Sequence, residues 1–167
     1  MTAKQHSDEV GCIPLTKGNY AIVDVIDADL TELKWHINNR YASRYYGKGA
    51  KHRYRVNMHR IILQRILDRP LVKGEEVDHI NGDRLDNRRE NLRVATHSQN
   101  AANAGRQRNN KSGFKGVHWR KQNQRWITYI KHNGKMNYIG AFDTPEAAHE
   151  AYREAATKFF GEFARFE

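Results

Sequence analysis

The sequence predicts an α+β chain of two small domains. The first, over residues 1–100, closes with two short strands and a helix; the second, over 113–167, is a three-stranded antiparallel sheet packed on one helix. Three observations predict this. Runs of strand length alternate with turn residues in both halves. Two helix starts carry cap chemistry, Thr96-x-x-Gln99 and Thr144-Pro145. Between them, Ala101 to Ser112 holds Ala, Asn, Gln and Arg but no bulky apolar residue, and reads as a linker. At 167 residues and 38% apolar, the chain has material for two modest cores rather than one large one.

Taken in order, Ile13-Pro-Leu-Thr leads through the turn Lys17-Gly18-Asn19 to the apolar run Tyr20-Ala-Ile-Val-Asp-Val. Trp35-His-Ile, Tyr41-Ala-Ser-Arg-Tyr-Tyr and Arg53-Tyr-Arg-Val-Asn-Met are further strands, giving strands throughout 13–56. Met58 to Leu67 suits a helix that stops before Pro70, with 58, 61, 62 and 66 on its buried stripe. Glu76 to Asn81 is a strand, Gly82 to Glu90 a polar loop and Leu92 to Ala95 a second strand. The Thr96 cap starts a helix at His97 and puts Asn100 in its first turn. Further on, strands are expected near Lys115–Trp119, Arg125–Lys131 and Asn137–Phe142, with Asn133-Gly134 as a type I′ turn. The helix Glu146 to Phe160 places Ala147, Ala148, Ala151, Tyr152, Ala155 and Phe159 on one stripe, and Gly161 stops it. Phe114, Val117, Trp126, Ile130, Ile139 and Phe142 are core candidates.

The charge pattern points to a partner. Net charge is +10, and residues 105–142 carry nine Lys or Arg with no acid. Residues 37–70 carry nine more against the single acid Asp68, whereas 1–36 hold six acids and three bases. Basic stretches interleaved with aromatics and amides suit a nucleic acid. The one cysteine, Cys12, excludes an internal disulfide or a Cys-cluster zinc site and reads as a small, partly buried residue. No apolar run reaches membrane-spanning length and no signal-peptide core opens the chain, so a cytoplasmic protein without membrane contact is expected.

The chemistry concentrates in Val77-Asp78-His79-Ile80-Asn81-Gly82-Asp83, then Asn87-Arg88-Arg89-Glu90-Asn91-Leu92-Arg93, then Thr96-His97-Ser98-Gln99-Asn100. Asp78 and the Asn100 amide are hard oxygen donors that suit one Mg²⁺ or Mn²⁺ ion better than Zn²⁺. His79, with an ordinary pKa near ~6.5, is a competent base at neutral pH. Asn91 is placed to accept the imidazole's other N–H, or else to tie the loop backbone. His97 is an alternative ligand to Asn100, whose amide in that case caps the helix terminus. Asn87 and Asn103 read as loop and helix stabilisers, and His59 as a packed residue or a phosphate contact.

This pattern resembles the HNH nuclease family, in the variant ending in Asn. The resemblance implies a ββα-metal motif over 76–104 and hydrolysis of DNA to a 5′-phosphate and a 3′-hydroxyl. Residues 112–167 resemble the plant ethylene-response-factor, or APETALA-two, domain. The matching residues are Gly113-Phe114-Lys115-Gly116-Val117, Trp126 with Ile130-Lys131, Tyr138-Ile139-Gly140-x-Phe142-Asp143-Thr144-x-Glu146-Ala147-Ala148, Ala151-Tyr152-x-x-Ala155-Ala156 and Gly161-x-Phe163-Ala164-Arg165. That resemblance implies that Lys115, His118, Arg120, Lys131 and Tyr138 face duplex DNA. His118, Lys131 and Tyr138 depart from the Arg, Arg and Trp of the plant domains, which implies more phosphate positioning and less base reading. Arg106, Arg108 and Lys111 are expected to follow the DNA backbone between the two footprints.

As a whole the chain resembles homing-type HNH endonucleases of phages and mobile elements. The expectation is a monomeric, metal-dependent endonuclease acting on double-stranded DNA. A DNA-binding regulator with an inactive nuclease domain is the alternative.

Overall fold

The computed structural model describes residues 9–47 and 54–166, and the chain divides between Val94 and Ala95 into two compact units. It is mixed α/β, with antiparallel sheets and few helices. Arg53, expected in a strand, lies outside the described residues. No described helix is long and apolar enough to cross a membrane.

In the first unit, β1 (Val10–Pro14) and β2 (Tyr20–Asp24) pair antiparallel with Ile13 opposite Ala21. Strand alternation sends Ile13, Ala21 and Val23 into the core. Cys12, one residue out of phase, is exposed rather than partly buried as its type suggested. A second sheet holds β3 (His36–Asn38), β4 (Tyr41–Tyr46) and β5 (Tyr54–Asn57) in that order. Asn39 and Arg40, both at positive φ (47° and 70°), make the tight turn between β3 and β4.

Helix α1 (Met58–Leu67) follows β5 directly and ends on Asp68 in the left-handed region, two residues before Pro70. Its buried face is Met58, His59, Ile62 and Leu63, while Ile66 turns out to solvent. Met58, Ile62 and Leu63 pack with Ile13, Val23, Leu30 and Trp35, each fully buried side chain stabilising by roughly 1.5–3 kcal/mol. β6 (Glu76–His79) and β7 (Leu92–Ala95) form a two-stranded sheet, and Val77 and Leu92 reach the same core. Asp27 is wholly buried and held by Arg65 (2.9 Å) and Arg89 (2.7 Å), which clamp the segment after β2 to α1 and to the turn before β7.

In the second unit, α2 (His97–Asn103) begins with the expected capping box between Thr96 and Gln99. β8 (Val117–Arg120), β9 (Arg125–His132) and β10 (Lys135–Phe142) form an antiparallel sheet in the order β10-β9-β8. The β9–β10 turn at Asn133-Gly134 has positive φ at both residues. Helix α3 (Pro145–Phe160) is capped by the Thr144 hydroxyl, which accepts from the Ala147 N–H (3.2 Å). Its buried residues, Ala148, Tyr152, Ala156 and Phe160, recur at every fourth position; Ala147, assigned to the stripe from sequence, is exposed. Tyr152, Ala156 and Phe160 pack with Ile130, Phe163 and Ala102 of α2. The segment read as a linker therefore opens with a helical turn in which Ala102 and Asn103 are buried. Gly116 has φ 76° and lies under the Tyr152 ring, where a Cβ would stand only 2.2 Å from Cδ2.

Candidate active site and nucleic-acid face

The loop joining β6 to β7 is built from its own side chains. The Asp83 N–H donates to Asn81 Oδ1 (2.8 Å), and the Leu85 N–H donates to Asp83 Oδ1 (3.0 Å). These are Asx turns, in which short polar side chains stand in for backbone acceptors. Arg88 grips Asp86 with two bonds of 2.9 and 2.7 Å. The loop also leans on β2: the Ile22 N–H donates to Leu85 O and the Asn87 N–H to Ile22 O, both at 2.8 Å.

That scaffold fixes His79 at the end of β6. The ring is 5% exposed and meets the His59 ring edge-on at a centroid distance of 5.2 Å, with Tyr41 at 6.1 Å. Tyr41 in turn touches His59 at 4.8 Å and lies under the Arg84 guanidinium. His79 Nε2 lies 3.3 Å from Asn87 Oδ1. The Asn87 amide nitrogen donates to Leu85 O (3.1 Å), so its oxygen is the group that faces the ring. Nε2 therefore carries the proton, and the lone pair sits on Nδ1. Burial pushes His79 below the ordinary imidazole value, against the raising effects of the Asn87 bond and the charges of Asp78, Asp83 and Asp86. The imidazole is thus neutral at pH 7, the state a general base requires.

Of the two roles open to Asn91 from sequence, its hydrogen bonds are those of the loop tie. Its Nδ2 donates to Asn81 Oδ1 (3.0 Å) and Asp86 O (2.7 Å), and its Oδ1 accepts from the Asn81 N–H (3.0 Å). The amide is spent on tying the two ends of the loop together, and Asn87 meets the imidazole instead. Nothing in the motif's spacing separates the two asparagines; the loop's path decides between them. His59, at 6% exposure, is packed against Tyr41 and His79 rather than offered at the surface, and its Nδ1 has no hydrogen-bond partner among the described residues.

Asp78, beside His79 on β6, is 2% exposed and accepts from Arg93 Nε of the neighbouring strand β7 (2.8 Å). Asn100 belongs to the second unit, in the first turn of α2, and is half-buried; His97 on the same turn is exposed. Among the described residues no group of three or more His, Cys, Asp or Glu side chains is placed to hold a metal. An Asp carboxylate and an Asn carbonyl are hard donors, and that chemistry fits Mg²⁺ or Mn²⁺, which take most of their shell from water and phosphate oxygens.

In the second unit, register sorts the sheet into two faces. Val117 pairs with Thr128, and Trp119 with Trp126, on the side of Ile130 that meets α3. On the other side lie His118, Arg120, Arg125, Tyr129, Lys131, Met136 and Tyr138. Four of the expected DNA contacts (His118, Arg120, Lys131, Tyr138) thus share one face and are exposed, and the Tyr138 ring lies tilted against Tyr129 at a centroid distance of 5.3 Å. Arg125 lies on the same face but is half-buried, its Nη2 donating to Ala141 O (3.1 Å); its place opposite Arg120 could have been read from the strand alternation. Lys115 is different, since its ammonium donates to the carbonyls of Ala102 (2.5 Å) and Arg165 (2.8 Å) and is committed inside the unit. Arg106, Arg108 and Lys111 are exposed on the segment after α2.

Comparison with known proteins agrees with both halves. Residues 57–102 match the HNH endonuclease family, and residues 112–162 match the AP2 domain. The chain is 31% identical over 119 residues to Protein 3.8 of Escherichia phage T7, covering 71% of this chain and 98% of that one. It is 33% identical over 149 residues to an uncharacterized HNH endonuclease of Acanthamoeba polyphaga mimivirus, covering 89% of this chain and 74% of the relative. Over 54 residues it is 43% identical to an AP2-like ethylene-responsive transcription factor of Arabidopsis thaliana, 32% of this chain and 11% of the plant protein. No solved structure matches it significantly.

Proposed function

We propose that this chain, which belongs to the HNH endonuclease family and carries an AP2 domain at its C-terminus, is a homing-type, metal-dependent endonuclease that hydrolyses phosphodiesters in double-stranded DNA. The observation that carries the reading is the buried imidazole of His79, its Nε2 3.3 Å from Asn87 Oδ1, next in sequence to the Asp78 carboxylate.

In this reading His79 Nδ1 takes the proton from the attacking water, a role that typically contributes roughly 10²–10⁴ in rate. Asn87 accepts from Nε2–H throughout and stabilises the imidazolium as it forms. Asn91 keeps the loop that presents Asn87 in shape. Asp78 and Asn100, as the residues expected to fill the donor positions of a ββα-metal motif, would supply the protein's oxygens to a divalent cation. When bound, that cation neutralises charge on the scissile phosphate and the leaving 3′-oxygen. Arg93 holds the Asp78 carboxylate in one orientation. The products are a 5′-phosphate and a 3′-hydroxyl.

His118, Arg120, Arg125, Lys131 and Tyr138 form the grip of the AP2 sheet on the duplex, and Arg106, Arg108 and Lys111 track phosphates along the intervening segment. A tethered second grip raises the effective concentration of DNA at the active site without a dimer. A monomer with one site nicks a single strand.

The experiment is conversion of supercoiled plasmid with Mg²⁺, with Mn²⁺ and with chelator. Nicked circles in either metal and none with chelator are expected. Duplex binding with no cut in any metal would mark the chain as a DNA-binding regulator instead.

A further inference from the structure

We infer that Lys115 is a positioning residue for helix α2, so that the AP2 domain holds the helix that carries Asn100. This rests on the reading of Asn100 as an oxygen donor, but every supporting observation lies inside the second unit.

Helix α2 has seven residues, too few to be stable on propensity alone. Its order comes from outside the helix. Lys115 Nζ donates to Ala102 O in the last turn of α2, where carbonyls lack helical partners, and also to Arg165 O in the C-terminal tail. The Arg165 N–H reaches the same Ala102 carbonyl (3.4 Å). The Ala102 side chain is buried with Tyr152, Phe160 and Phe163. Toward the other end of the helix, the Asn133 N–H of the β9–β10 turn donates to Ser98 Oγ (3.2 Å). α2 is therefore fastened at both ends to the AP2 sheet and tail.

The choice of lysine is informative. Burial, with Arg165 nearby, pulls its pKa down to about 8, an unfavourable setting for a cation unless its protons are used. Here they are used on two carbonyls from different segments. The family boundaries cut across this packing, because the HNH match runs to residue 102 and the AP2 match starts at 112. By sequence α2 belongs to the nuclease motif; by packing it belongs to the DNA-binding domain.

The test uses the full-length chain with Lys115→Met, measuring hydrogen exchange of the α2 amides, DNA affinity, and the Mg²⁺ concentration that gives half-maximal cleavage. The expected result is α2 exchange faster by roughly tenfold, a Mg²⁺ requirement raised by roughly tenfold, and DNA affinity within twofold of wild type. Unchanged exchange would overturn the inference. So would weakened DNA binding with an unchanged Mg²⁺ requirement, which would make Lys115 a DNA contact. If Lys115→Met does not fold, Ser98→Ala removes the other tie and is read by the same exchange measurement, with unchanged exchange again overturning the inference. Asn100→Ala separates the two readings: an unaltered Mg²⁺ requirement there removes Asn100 as a donor, while the exchange result still decides what holds α2.

Discussion

His79 Nε2 and Asn87 Oδ1 lie 3.3 Å apart, and that contact assigns the imidazole lone pair to Nδ1. Asn87 is itself immobilised, by its backbone N–H on Ile22 O and its amide on Leu85 O. Orientation of the imidazole thus passes from β2 through the loop to the ring.

Asn87→Ala should lower kcat roughly 10- to 100-fold while leaving the melting curve nearly in place. Asn91→Ala should do the reverse in emphasis. It removes the bonds to the Asn81 N–H and Asp86 O and should cost about 1–3 kcal/mol of stability. Parallel single-turnover kinetics and denaturant unfolding of the two variants separate the roles. A larger kinetic defect in folded Asn91→Ala would contradict the assignment.

Acid should destabilise the first unit through His59. Burial above all, then the positive charges of His79, Arg60 and Arg84, pull this imidazole down to about 3. The folded pKa lies below the unfolded value near ~6.5, so between them the unfolded chain binds more protons. Stability that is full above that unfolded value is lost as pH falls toward 3, at up to about 1.4 kcal/mol per pH unit. Urea unfolding at pH 7 and pH 5 should show His59→Phe losing about 2 kcal/mol less than wild type. Equal losses would contradict this account.

Asp27→Asn should destabilise the first unit by about 2–3 kcal/mol, toward the low end for a buried ion pair because both arginines are partly exposed. Thermal unfolding measures it. A change under about 0.5 kcal/mol would place the clamp among ordinary surface pairs.

Arg120→Ala and Lys131→Ala should each weaken duplex binding and reduce the slope of log K against log salt by about 1, as loss of one phosphate contact does. Titrations between low and moderate salt measure the slope. Unchanged slopes in both variants would move the DNA off this sheet face.

Much of the fold was legible because local chemistry dictated it. The Thr96–Gln99 capping box and the Thr144-Pro145 start set the first residues of α2 and α3, and Asn133-Gly134 set the β9–β10 turn. Period-two alternation placed His118, Arg120, Lys131 and Tyr138 on one face. What sequence could not give was contact between distant positions. Asn87 and Asn91 are equivalent in type and flank the same turn; only the hydrogen bonds that lace the loop send one to the ring and the other to the backbone. Lys115 looked like its basic neighbours, and only the fold brings Ala102 O and Arg165 O to its ammonium. The alanines after Asn100 looked like linker because small residues bury little area on their own, whereas Tyr152, Phe160 and Phe163 supply the surface that covers Ala102.

The most direct measurement of the central claim is cleavage and duplex affinity for His79→Ala, in Mg²⁺ at neutral pH. Loss of cleavage by at least roughly 100-fold, with DNA affinity within twofold of wild type, is the predicted result. Cleavage that survives the substitution, or an equal loss of cleavage and affinity in a folded variant, would contradict it.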